Sequence, residues 1–143
     1  MPENEEPKYA DNSKKEFTTK HILIIDDSKT LRKALSNFIL KKFHCDVLEA
    51  ENGRDAMNII RKENGYFNLI LCDLMMPVMD GFTFIKTIKQ HKKFKLIPII
   101  CITVKSDKST VLRSIQLGAI DFISKPYDLD SVATKISKFI DIK

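Results

Sequence analysis

From Lys20 onward, short continuous apolar runs alternate with stretches whose apolar residues recur at helical spacing. His21 to Ile25 is the first run, and Leu31, Ala34, Leu35, Phe38 and Ile39 follow it as a helix stripe. Asp46 to Ala50 reads as a weaker strand, broken by Asn52-Gly53 before a second helix marked by Ala56, Ile59 and Ile60. Asn68 to Cys72 is a strong strand. Pro77 and Gly81 punctuate the loop after it, and Phe84, Ile85 and Ile88 mark a third helix. Leu96 to Ile102 is the fourth run, with Pro98 near its start. Val111, Leu112 and Ile115 predict a fourth helix, closed by Gly118. Ile120 to Ile123 predicts a fifth strand. Leu129, Val132, Ala133, Ile136, Phe139 and Ile140 form a fifth amphipathic helix.

Strands that alternate with helices are joined by crossovers and therefore run parallel, with helices on both faces. Continuous rather than alternating apolar runs fit strands buried on both sides. The pattern predicts an α/β fold with an open, doubly wound parallel sheet. In such sheets function gathers beyond the carboxyl ends of the strands. Residues 1–19, rich in Glu, Lys, Asn and Pro, read as a disordered leader, and residues 20–143 as one folded domain.

The length of 143 residues suits one domain with a real core. No apolar run reaches the ~18 residues of a membrane span, and the polar N-terminus lacks the apolar stretch of a secretory signal. A cytoplasmic protein is the expectation. Cys45, Cys72 and Cys101 are widely spaced with no C-x-x-C, and Cys72 and Cys101, inside apolar runs, are expected to be buried free thiols. The formal net charge is +5, but the lysines are dispersed, with no arginine cluster or interleaved aromatic row. The charge reads as a solvated surface, with no direct nucleic-acid partner.

Charged and hydroxyl residues gather at the predicted strand ends: Asp26 and Asp27 after the first, Asp73 after the third, Thr103 after the fourth, Lys125 after the fifth. Each has an ordinary reading. Asp26, Asp27 and Ser28 precede a helix and suit its N-terminus. Asp73 can open a turn, Thr103 favours strands, and Lys125 before Pro126 can be a surface lysine. Capping explains neither an acid after strand three nor a lysine after strand five. If strands one and three are neighbours, three carboxylates share one pocket. At ~5 Å and an effective dielectric of ~20, each pair repels by roughly 3 kcal/mol. Such a group calls for a proton or a cation. An all-oxygen site with few protein ligands suits Mg²⁺, and a lysine and a hydroxyl beside it suit phosphoryl oxygens.

In order and spacing, these pieces resemble the response-regulator receiver domain over roughly residues 20–143. They are Ile-Leu-Ile-Ile-Asp26-Asp27-Ser28, Leu-Ile-Leu-Cys-Asp73-Leu-Met-Met-Pro77-Val-Met-Asp80-Gly81, Pro-Ile-Ile-Cys-Ile-Thr103 and Gly118-Ala-Ile-Asp-Phe122-Ile-Ser-Lys125-Pro126. The resemblance implies a (βα)5 flavodoxin-like fold with strand order 2-1-3-4-5. It implies that Asp73 accepts a phosphoryl group from a phosphohistidine of a sensor histidine kinase. Asp27, Asp73 and the Met75 carbonyl would hold Mg²⁺ directly, with Asp26 acting mainly through a bound water. Lys125 would meet the phosphoryl oxygens, Thr103 and Phe122 would form a switch pair, and the Lys125–Pro126 bond would be cis. Output would pass through the face of helix four, strand five and helix five, where Lys108, Arg113, Lys135 and Lys138 suit a protein target with an acidic segment.

The sequence departs from the pattern in places. Val104 follows Thr103 where the family usually has a smaller residue, and Phe122 lacks the hydroxyl of many chemotaxis members. The fifth helix is the last element, so the chain resembles stand-alone chemotaxis-type regulators. A receiver piece of a longer DNA-binding regulator is the alternative, and a Mg²⁺-dependent aspartyl phosphatase is another. Such phosphatases typically show D-x-D-x-T at strand one, where this chain has Asp26-Asp27-Ser28. The expected protein is a signalling phosphoacceptor that turns over only its own phosphate.

Overall fold

The computed structural model describes residues 19–143. The disordered leader expected over 1–19 lies, except for Thr19, outside the described residues. Five strands, β1 (Lys20–Ile25), β2 (Cys45–Ala50), β3 (Leu69–Cys72), β4 (Ile99–Thr103) and β5 (Asp121–Ser124), form one sheet in the order β2-β1-β3-β4-β5. All four neighbouring pairs are parallel. Five helices alternate with them: α1 (Lys29–Lys42), α2 (Gly53–Lys62), α3 (Gly81–Gln90), α4 (Lys108–Leu117) and α5 (Leu129–Ile136). The parallel direction is the one the apolar pattern predicts, and the order is the one the resemblance implies.

Two cores flank the sheet. Leu35 and Ile39 of α1 and Val132, Ala133 and Ile136 of α5 cover one face, over Ile22, Ile24, Leu69, Leu71, Ile100 and Ile102. Ala56, Met57 and Ile60 of α2 and Phe84, Ile85 and Ile88 of α3 cover the other, over Leu23, Ile25, Ile70, Cys72, Ile99 and Cys101. Burial on both faces explains why β3 and β4 read as unbroken apolar runs. Strand β2, at the sheet edge, alternates half-buried and exposed positions instead.

Each helix has a side-chain cap. Ser28, Asn52, Asp80, Asp107 and Asp128 accept hydrogen bonds from the backbone N–H groups of Leu31, Asp55, Thr83, Thr110 and Ser131. Helix α1 is therefore capped by Ser28, and α3 by Asp80, seven residues beyond Asp73.

Several boundaries and faces differ from expectation. Strand β4 begins at Ile99, not Leu96, because Leu96 sits 88% exposed in the preceding loop. That loop is fixed by Lys89, whose Nζ donates to the carbonyls of Lys95 and Ile97 at 3.0 and 2.7 Å. Strand β5 starts at Asp121, leaving Ile120 outside it and exposed. Helix α5 ends at Ile136, and Ile140 is buried from the turn beyond it. In α1, Leu31 and Ala34 face solvent, so the buried stripe is narrower than the spacing suggests.

Helix α4 departs most. Leu112 and Ile115 are exposed, and the buried residues are Thr110 and Ser114. Both hydroxyls are satisfied locally, Thr110 by Asp107 and Ser114 by the Val111 carbonyl, each at 2.7 Å. Small polar groups bonded within their own helix can face a sheet without a desolvation penalty.

Candidate functional site

Strands β1 and β3 are adjacent and in register, with Ile25 opposite Cys72. The next residue of each chain segment is an aspartate, so the topology itself brings Asp26, Asp27 and Asp73 to one edge. One carboxylate oxygen from each lies within 4.8 Å of the others. Asp26 and Asp73 are buried, and Asp27 is exposed. The donor set is all oxygen, compact and open on one side, and therefore fits a hard divalent cation.

Lys125 enters from the end of β5. Its Nζ donates to Asp26 Oδ2 at 2.7 Å and to Asp73 Oδ2 at 2.9 Å. Burial alone would lower the lysine's pKa, but the hydrogen bonds and charges of Asp26 and Asp73 outweigh it and raise it. The ammonium therefore stays charged between the two acids. The other oxygens are held by backbone N–H groups: Ser28 to Asp26 Oδ1 at 2.8 Å and Met75 to Asp73 Oδ1 at 3.1 Å. No side-chain hydrogen bond holds Asp27 among the described residues. The Lys125–Pro126 bond is cis.

Thr103 is fully buried at the end of β4. Its carbonyl accepts from the Lys125 N–H at 2.9 Å, which ties the hydroxyl-bearing strand to the lysine-bearing one. Phe122 lies opposite Cys101 in register, on the side of the sheet shared by Thr103 and Ser124, and is half-buried. Met75 and Val104, which follow Asp73 and Thr103 closely in the chain, are exposed.

Two further features shape the pocket. The peptide after Asp73 is pressed against the start of α3. A methyl group on Gly81 would lie 2.4 Å from the Asp73 carbonyl oxygen and 2.6 Å from Leu74 Cα. Below the pocket, Cys72 and Cys101 are in-register neighbours and both are free and buried. Burial pushes the Cys101 thiol up to about 12, and also raises Cys72. They behave as small core residues, as the sequence suggested.

Sequence reasoning missed Arg32 and Glu49. Arg32, on α1, donates from Nη1 to the Asp26 carbonyl at 2.7 Å and from Nε to Glu49 Oε1 at 2.9 Å. Neither residue sits at a strand's last position, and only the β1–β2 pairing brings Glu49 near the acids. A charged residue inside β2 was the available signal.

A parallel sheet in this order, with three acids and a lysine at its carboxyl edge, has the architecture of a signalling receiver module. The chain belongs to the response regulator receiver domain family, whose pattern matches residues 22–137. It is 34% identical over 106 residues to a chemotaxis protein CheY homolog of Campylobacter jejuni, covering 74% of this chain and 81% of that one. It is 33% identical over 122 residues to the sensor histidine kinase CheAY of Helicobacter pylori, covering 85% of this chain but only 15% of the kinase. The fold matches the chemotaxis protein CheY4 of Vibrio cholerae with a TM-score of 0.78 at 25% identity, covering 85% of this chain and 99% of that one. Among the described residues, no helix is long and apolar enough to cross a membrane.

Proposed function

We propose that the chain is a cytoplasmic two-component response regulator whose phosphoacceptor is Asp73 and whose donor is the phosphohistidine of a sensor kinase. The observation that carries this is Lys125 bridging Asp26 and Asp73 beside the exposed carboxylate of Asp27. That arrangement joins an attacking oxygen, a cation ready for phosphoryl oxygens and a set of donors for a metal. The likeness to a kinase and to CheY-type proteins agrees with such an exchange.

In the reaction, an Asp73 carboxylate oxygen attacks phosphorus. The new O–P bond forms as the P–N bond to histidine breaks, and the leaving imidazole takes up a proton. Asp27, Asp73 and the Met75 carbonyl would hold Mg²⁺, with Asp26 acting through a water. A cation there supplies neutralisation for the crowded negative charge. Lys125 is already poised on Asp73 Oδ2 and can move its hydrogen bond to a phosphoryl oxygen. Hydrolysis of the resulting acyl phosphate resets the protein.

Output follows from the buried Thr103. Turning its hydroxyl towards the phosphoryl group draws the end of β4 inward, and the half-buried Phe122 follows into the vacated space. The surface of α4, β5 and α5 then changes its affinity for a protein target. Because this is a population shift, the unphosphorylated chain binds the same target more weakly. Chemotaxis is the favoured setting.

The test is intact mass after treatment with a small phosphodonor such as phosphoramidate, with and without Mg²⁺. The wild-type chain should gain one phosphoryl group only with the metal, and Asp73→Asn should gain none. Undiminished labelling of Asp73→Asn would sink the assignment.

A further inference from the structure

We propose that Arg32 is a positioning residue for the acid pocket, and that it sets the aim of Asp27 by clamping the Asp26–Asp27 peptide to the edge strand through Glu49. The inference rests on the reading of the pocket given above and adds a residue that meets the pocket through a backbone carbonyl and not through its carboxylates.

The Asp26 backbone stands where the sheet ends. Its N–H still donates to the Ala50 carbonyl of β2 at 3.1 Å, continuing the β1–β2 ladder. Its carbonyl has no strand partner. Arg32 Nη1 takes that place at 2.7 Å. The carbonyl belongs to the rigid peptide unit that joins Asp26 to Asp27. Fixing that plane fixes the direction in which Asp27 leaves it. This matters for Asp27 in particular. Asp26 is held at both oxygens and Asp73 likewise, by Lys125 and by backbone N–H groups. Asp27 has no such restraint among the described residues, so its placement depends on the backbone behind it.

The clamp itself is well held. Arg32 uses two different edges of its guanidinium, one for the carbonyl and one for Glu49 Oε1 at 2.9 Å. Its side chain is 13% exposed. Lys33 fills the other oxygen of Glu49 at 3.0 Å, so Glu49 cannot easily turn away. Burial alone would raise the Glu49 pKa, yet the hydrogen bonds from Lys33 and Arg32 hold it below the usual carboxylate range. A planar fork in a fixed plane differs from a point charge: lysine at this position keeps the positive charge but cannot bond in both directions at once.

The experiment compares wild type, Arg32→Lys and Glu49→Gln by nuclear magnetic resonance, first metal-free and then through a Mg²⁺ titration. Thermal melts are run alongside. In Arg32→Lys the amide signals of Asp27 and Ser28 should move before any metal is added, and Mg²⁺ affinity should fall about tenfold, as for other groups that orient metal ligands. Glu49→Gln should shift the same signals less and weaken Mg²⁺ by a smaller factor. A purely structural tie would lower the melting temperature and leave both the Asp27 signal and the Mg²⁺ affinity unchanged, which would overturn the proposal. If wild type itself binds no Mg²⁺ and takes no label, the reading of the pocket fails. The metal-free spectra still decide the role of Arg32, because an unmoved Asp27 signal refutes it without reference to any metal.

Discussion

Helices α4 and α5 flank the same strand, β5, and are seated on the sheet in opposite ways. Helix α5 buries Val132, Ala133 and Ile136, and Ile140 extends its apolar contact from the turn that follows. Helix α4 buries only Thr110 and Ser114 and turns Leu112 and Ile115 to solvent. Fully burying an aliphatic side chain contributes about 1.5–3 kcal/mol. A hydroxyl bonded to its own helix contributes little towards docking that helix. At the end of α4 the partly buried Leu117 packs against the core, and Arg113 lies 4.0 Å over the Phe82 ring of α3. The lesson is that equal-looking helices can differ in how easily they move. In the proposed switch, a signal arriving at Thr103, at the end of β4, acts most easily on the helix that follows directly, which buries fewer apolar residues than α5.

The largest test of this contrast is truncation of one apolar residue in each helix. Ile136→Ala in α5 should cost about 2–5 kcal/mol in urea unfolding. Leu112→Ala in α4 should stay within about 0.5 kcal/mol. Similar losses would erase the distinction.

Native-state hydrogen exchange gives the next effect. Amides in the middle of α4 should be protected about tenfold less than those of α5, because local opening exposes little apolar surface. Matching protection in the two helices would show that α4 is held by something other than its sheet-facing side chains.

The smallest effect concerns a charged tie that, among the described residues, α5 makes and α4 does not. Lys135 Nζ lies 2.9 and 3.0 Å from the two oxygens of Asp121. Burial alone would raise the Asp121 pKa, but the Lys135 hydrogen bond and charge lower it. A depressed folded-state pKa gives stability that is present above the unfolded value, about 3.9, and is lost as pH falls through the folded one. The pair is partly exposed, so Lys135→Met should cost under about 1 kcal/mol at neutral pH. The difference from wild type should close as the pH drops towards 2. A gap that persists there would assign the loss to the lysine stem's packing instead.

The sheet was legible because its inner strands β1, β3 and β4 are buried on both faces and therefore write unbroken apolar runs. The acid pocket was legible because strand ends in a parallel sheet share one edge, so Asp26, Asp27, Asp73, Thr103 and Lys125 could be placed together from order alone. Position in sequence could not say which acid is capped or free. Ser28 turned out to carry the cap, which leaves the two aspartates before it for other work. The seating of α4 was illegible for a different reason. Val111, Leu112 and Ile115 have helical spacing, but spacing cannot say whether a stripe faces a sheet or the solvent. Arg32 and Glu49 were hidden because their meeting needs both the α1 start and the β1–β2 register.

Gly81 carries no chemistry, yet its lack of a side chain decides where Asp73 can stand. A methyl group there would meet backbone on two sides, at the Asp73 oxygen and at Leu74 Cα, neither of which can swing aside as a side-chain tip would. In a genetic screen for signalling-dead alleles, this glycine should therefore score beside the aspartates themselves. Its alleles would be told apart by their origin: they displace the backbone of the proposed acceptor while every reacting group is still encoded.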